Sequence, residues 1–150
     1  MKKEILKQRI LLLLLLLPLG AAAAAIKVEV LRPVIPVLTL KEINPTIRID
    51  IHSPKSEPLT IHQLALSLEG TTQQEDIISI GVYGAGKDGL IDTSCVVCPM
   101  TNRTLTLPMA YQVENQGEAV SLWVAVKLKD KVNLSHRIQV NCRSIRTSAG

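Results

Sequence analysis

The chain has 150 residues, 47% of them hydrophobic and only 2% aromatic, with 17 Lys/Arg, 13 Asp/Glu and a formal net charge of +4. Four of the basic residues and one of the acidic ones lie in the first 25, so residues 26–150 keep 13 and 12, a net charge of +1. That near-neutral remainder, one domain's worth of chain, gives no electrostatic reason to expect nucleic acid or anionic lipid as a partner.

The N-terminus reads as a secretory signal peptide over residues 1–25. Lys2, Lys3, Lys7 and Arg9 form a basic start, and an apolar run from Ile10 to Leu19 carries seven leucines, Leu11 to Leu17. Gly20 and Ala21 to Ala25 then supply an Ala-x-Ala setting for signal peptidase. The strictly apolar stretch is about half of the roughly 20 residues that a membrane span needs. Cleavage is expected after Ala25, with Ala23 and Ala24 as neighbouring choices. No cysteine adjoins the cut to take a lipid. The expected product, residues 26–150, is exported to the periplasm or secreted and is free of the membrane.

From there on the pattern is one of strands. The segment Arg32 to Leu40 is extended, but Pro33 and Pro36 confine it to an edge or a crossover. Ile47, Ile49 and Ile51 alternate with polar neighbours, the period of a half-buried strand. Leu64, Leu66 and Leu68 repeat the pattern with Ile61 out of phase, which predicts a bulge near His62–Gln63. Ile78, Ile80 and Val82 give a third strand. Val120, Leu122, Val124, Val126 and Leu128 give another, and Ile138, Val140 and Cys142 one more. Turn signals separate them: Asn44-Pro45, Ser53-Pro54, Glu57-Pro58, Gly70, Gly84 to Gly89, Cys98-Pro99, Asn115 to Gly117 and Asp130. No stretch keeps a helical period over three turns. About seven to nine short strands without helices to cover a parallel sheet predict an all-β fold, an antiparallel β-sandwich. With no Phe, and only Tyr83, Tyr111 and Trp123 as aromatic residues, Ile, Val and Leu must fill its core.

The motifs that invite a chemical reading lack their contexts. Gly84-Ala85-Gly86-Lys87-Asp88-Gly89 has G-x-G-x-x-G spacing but opens no helix, which a dinucleotide site requires. Gly81 to Lys87 has phosphate-loop spacing, but Asp88 stands where a hydroxyl should hold magnesium. A glycine-rich turn between strands is the expectation. Cys95-Val96-Val97-Cys98 has redox spacing without the helix N-terminus that activates such a thiol, and as half of a zinc site it lacks a second ligand pair. A structural disulfide between Cys95 and Cys98 is the leading alternative, and pairing of either with Cys142 stays open. His52, His62 and His136 are scattered, and no nucleophile elbow is present. Asn102-Arg103-Thr104 and Asn133-Leu134-Ser135 fit the N-glycosylation sequon. No catalytic residues, cofactor or metal site are expected.

Residues from about Arg32 to Ile145 resemble the N-terminal module that precedes the catalytic propeller in exported bacterial sialidases, the BNR-repeat neuraminidases. The resemblance rests on stretches in the expected order: Ile35-Pro36-Val37-Leu38; Asn44 with Ile47-Arg48-Ile49; Leu66-Ser67-Leu68-Glu69-Gly70-Thr71-Thr72; Asp76-Ile77 with Ile80-Gly81-Val82-Tyr83; and Leu122-Trp123-Val124 with Leu128-Lys129-Asp130 and Val132-Asn133-Leu134. It implies a β-sandwich and a non-catalytic, accessory role beside a sialic-acid hydrolase. The implied partner is a downstream catalytic domain, another protein or a glycan. The S-x-D-x-G-x-T-W boxes of the propeller are absent from the sequence. On the residues themselves, Trp123 points away from the Leu122 and Val124 face. It is the candidate for glycan stacking or an interface, against a competing reading in which it packs beneath a loop or against a neighbouring domain. The alternatives are a stand-alone binding or assembly protein, using an edge near Val34–Leu40 to accept a partner strand, and a small thiol or metal protein using Cys95 and Cys98.

Overall fold

The computed structural model describes residues 26–53, 58–113 and 119–148. The expected signal peptide (residues 1–25) and the turn signals at Pro54, Glu57 and Asn115 to Gly117 lie outside the described residues. The described chain contains eight strands: β1 (Lys27–Leu31), β2 (Asn44–His52), β3 (Leu59–Ser67), β4 (Ile77–Ala85), β5 (Ile91–Asn102), β6 (Thr106–Val113), β7 (Ala119–Leu128) and β8 (Asn141–Thr147). One 3-10 turn, Gln74–Asp76, precedes β4. The strands form a five-stranded sheet, β1-β2-β7-β4-β5, and a three-stranded sheet, β6-β3-β8, with every pairing antiparallel. The fold is the all-β sandwich that the alternation predicts. No helix among the described residues is long and apolar enough to cross a membrane.

The core lies between the sheets and is built from aliphatic rows. Ile47, Val124 and Val82 stand side by side on β2, β7 and β4, and Ile49 stands beside Leu122. They face Ile61, Leu64 and Leu66 of β3 and Leu107 of β6 within one buried cluster. β-branched side chains suit these positions because their stiff χ1 packs well on a pleated surface. Burying each such side chain contributes about 1.5–3 kcal/mol. β7, central in its sheet, is buried on both faces: Trp123 and Ala125 on the outer face are covered as completely as their inward neighbours.

The bulge expected near His62–Gln63 is present, because the pairing of β3 with both its neighbours slips between Ile61 and Gln63. The slip brings Ile61 into phase with Leu64 and Leu66. A second slip, between Ile77 and Ser79, corrects the reading of β4. It turns Ile77 into the core and leaves Ile78, expected inward, 42% exposed. The last strand also begins later than expected, at Asn141 instead of near Arg137. Val140 is buried and Ile138 half-buried, so the side-chain alternation was right, but the backbone bonds of this segment go elsewhere.

They go to Thr71 and Thr72, chiefly to the side-chain hydroxyls. Thr71 Oγ1 donates to the Gln139 carbonyl (2.8 Å) and accepts from the Gln139 N–H (2.9 Å). Thr72 donates its N–H to the Arg137 carbonyl (3.0 Å) and its Oγ1 accepts from the Arg137 N–H (3.1 Å). Gly70, at φ +91°, makes the turn that delivers these threonines, and a Cβ there would stand 2.5 Å from Gln139 Oε1. A second clamp holds the segment after β1, which is not a strand. Buried Asn44 donates from Nδ2 to the carbonyls of Leu38 and Lys41 (both 3.0 Å) and accepts the Leu38 N–H at Oδ1 (2.8 Å). Replacing Thr71 by Val keeps its volume and removes both bonds to Gln139. The expected loss, measured by denaturant unfolding, is about 1–3 kcal/mol, with Thr71→Ser losing clearly less.

Candidate functional site

Trp123 lies on the outer face of the five-stranded sheet, between Arg48 on β2 and Tyr83 on β4. It is covered there. The hairpin between β4 and β5 folds over it, and the indole N–H donates to the Gly89 carbonyl at 3.1 Å. With 5% of its surface exposed, Trp123 presents no open face on which a sugar could stack. The loop that hides it is the glycine-rich stretch. Gly89 N–H donates to the Gly86 carbonyl, Gly86 N–H to the Leu90 carbonyl, and Asp88 Oδ1 accepts the Leu90 N–H. Gly89 has φ +77°, and a Cβ on it would meet Arg48 Nη1 at 3.1 Å. The loop is a tight turn shaped to close over the sheet, as its setting between strands predicts.

Beside Trp123, Arg48 forks onto Asp50, Nε to Oδ1 and Nη2 to Oδ2, both at 2.8 Å. Ser121 Oγ donates to Asp50 Oδ1 at 2.6 Å. The Asp50 carboxylate is thus nearly buried yet fully engaged. The Arg48 guanidinium, more than any other group, holds its carboxyl below the usual carboxylate range, and Asp50 in turn raises Arg48. A bidentate pair of this kind fixes side-chain geometry. Here it is an i,i+2 pair within β2, tied to β7 through Ser121, and each charge has a partner of opposite sign.

All three cysteines stand as free thiols. Cys98 stands opposite Val82, while Cys95 Sγ occupies the space where a Cβ on Gly84 would sit. Cys142 lies on β8, in the other sheet, opposite Leu66. Burial pushes the Cys98 and Cys142 thiols up, the opposite of what thiol redox chemistry requires. Among the described residues no group of three His, Cys, Asp or Glu side chains could hold a metal ion. His52 and His62 lie apart on β2 and β3. His136 Nδ1 sits 2.6 Å from Asp76 Oδ2, a pairing that sequence spacing gave no sign of, and it ties the 129–140 loop to the 3-10 turn.

Exposed apolar side chains occur in several places, Ile78, Leu90 and Val96 among them, and are densest between Leu31 and Leu40. Leu31 (44%), Val34 (104%), Leu38 (53%) and Leu40 (85%) are exposed along one segment, as is Leu134 (90%) on the 129–140 loop. Two clefts adjoin these segments. One, of about 520 Å³, runs from Arg32 to Val37 and on to Thr46 and Gln139. The other, of about 210 Å³, is lined by Val37, Leu134 and His136 among others. Scattered exposed aliphatics are ordinary, but a concentration of them marks a contact surface. The sequence points to Trp123 as the contact residue and to Arg32–Leu40 as an extended edge or crossover. The segment is irregular, and the edge strand is β1.

Trp123, the single tryptophan of the chain, is itself the reporter for the cluster around it. Native protein is expected to show blue-shifted emission poorly quenched by iodide. Because the folded pKa of Asp50 is lowered, its contribution is fully present above the unfolded value of about 3.9 and is lost as pH falls through the folded value. Asp50→Asn is therefore expected to cost about 1.5–3 kcal/mol at neutral pH, the worth of a hydrogen bond to a charged group, and to flatten the acid dependence of stability below about pH 4, both followed by Trp123 fluorescence.

No curated protein matches the chain. One sequence family does, over residues 25–102, just over half of the chain and the whole of β1 to β5. Its description is the N-terminal domain of BNR-repeat neuraminidase, an accessory and not a catalytic domain. The likeness noted in the Leu122–Leu134 region lies beyond the matched residues, although β6, β7 and β8 complete the same sandwich. The chain belongs to the family of N-terminal domains of BNR-repeat neuraminidases.

Proposed function

We propose that this chain is an exported, non-catalytic contact module of a sialic-acid hydrolase, docking on the hydrolase's catalytic domain through the exposed apolar segment 31–40 and Leu134. The observation that carries this reading is the concentration of exposed Leu and Val side chains in those two segments, on a chain whose family is an accessory domain. Domain contacts within such enzymes resemble protein–protein interfaces and rest on apolar side chains at their centre. A glycan-binding role has less support, because the best stacking residue, Trp123, is covered by the hairpin loop and the sequence has only two other aromatic side chains. Export is supported by the order of charge, apolar run and alanines in residues 1–25.

The test is a pair of assays on the exported protein. The chain by itself is expected to give no turnover of a fluorogenic sialoside and to bind the catalytic propeller of a BNR-repeat neuraminidase. Leu40→Asp and Leu134→Asp together should weaken that binding at least about tenfold, the effect of losing one well-buried anchor. Sialoside turnover by the chain alone would overturn the reading. So would sialoglycan binding that perturbs Trp123 emission, or propeller binding indifferent to both substitutions.

A further inference from the structure

The five-stranded sheet ends at β1, whose outer edge carries no strand among the described residues. Its residues alternate strictly. Val28 and Val30 pair with the buried core residues Ile51 and Ile49, while Lys27, Glu29 and Leu31 pair with His52, Asp50 and Arg48 on the outer face. Val28 is nevertheless 41% exposed and Leu31 44%, whereas their partner Ile51 is fully buried and Arg48 largely covered. Both β1 side chains therefore stand open on the side away from β2.

We propose that β1 is a self-association surface, on which a second copy of this chain pairs antiparallel about a two-fold axis through Val28. In that register Val28 meets its own counterpart, Lys27 stands opposite Glu29 of the other copy, and Glu29 opposite its Lys27. Both ion pairs fall on the outer face and the valines on the core side, so the two sheets join into one of ten strands. Charges on an edge strand usually block pairing. Here they select one register. Centring on Glu29 would set glutamate against glutamate, and centring on Lys27 lysine against lysine. Lys27 and Glu29 already pair within the strand, so the side chains are placed to exchange partners across the axis. An isologous contact of this kind requires a self-complementary patch, and β1 has one.

The remaining strand edges are poorer templates. β5 has Pro99 and three slips in its pairing with β4, and β6 carries Pro108 and shares the β3 bulge. β8 carries Arg143 and Arg146 with no acidic residue in the strand, and Arg143 is already engaged by Glu69 outside it, so the strand has no charge pair of its own to set a register. β1 pairs with β2 without a slip. A five-residue strand pair alone is small against the roughly 1,000 Å² of a stable interface. In this register Val30 meets Ile26 of the other copy on the core side, and a dimer of weak, concentration-dependent affinity is the expected outcome.

Sedimentation equilibrium on the exported chain over a wide concentration range tests this. The parent is expected to dimerise. K27E and E29K, each of which creates two like-charge contacts, should weaken the dimer at least about tenfold. The double swap K27E/E29K, which restores complementarity with the signs reversed, should return to within about threefold of the parent. Both side chains are exposed, so far-ultraviolet circular dichroism should show all variants folded. A parent that stays monomeric at every concentration overturns the proposal. So do single variants that dimerise as well as the parent, or a double swap as weak as the singles.

Discussion

The backbone of two irregular segments has to find hydrogen bonds without a strand ladder, and the sandwich depends on how it does so. Residues 32–43 and 129–140 run along the cleft where Val37, Ile47 and Ile138 come together. A peptide group shielded from water and left unpaired costs about as much as a lost hydrogen bond, and the Leu38 and Gln139 groups are part-buried, so each segment needs partners at a defined place. Asn44 supplies them for Leu38 and Lys41, and Thr71 with Thr72 supplies them for Arg137 and Gln139. Without these clamps Val37, Ile138 and Val140 would have no fixed position over the aliphatic core.

This constraint explains the residues that make the chain look like its family. Asn44 and Gly70-Thr71-Thr72 belong to the stretches on which the resemblance rests, and each holds a connection instead of binding anything. Gly81 and Tyr83, in another of those stretches, line the outer face beside Trp123 and Ala125. The family likeness therefore describes a scaffold. What such a module does has to come from its surface, where exposed aliphatic side chains gather on segment 31–40 and Leu134, and from the free edge of β1.

Most of the fold was legible because period-two alternation directly encodes which face of a strand is buried. Ile47, Ile49 and Ile51, and Leu122 through Leu128, read correctly for that reason. The bulge at Ile61–Gln63 was visible because the slip left an aliphatic residue out of phase. The slip at Ile77–Ser79 was not, since Ile77 and Ile78 are the same residue type and either could turn inward. The start of β8 was misplaced because Thr71 and Thr72 replace the ladder from 68 and 65 residues away, which no local pattern reports. Trp123 was placed on the correct face, but its cover comes from the hairpin loop. The exposed apolar segment was hidden by the prolines that made it look like a guarded edge.

Amide hydrogen exchange under native conditions tests the clamping account most directly, because it reports the opening free energy of each N–H. The Leu38, Arg137 and Gln139 amides, which end on side-chain oxygens outside any ladder, are predicted to exchange as slowly as the amides at the centre of β7. Exchange of these three at the rate of an unstructured peptide, with β7 still protected, would contradict it.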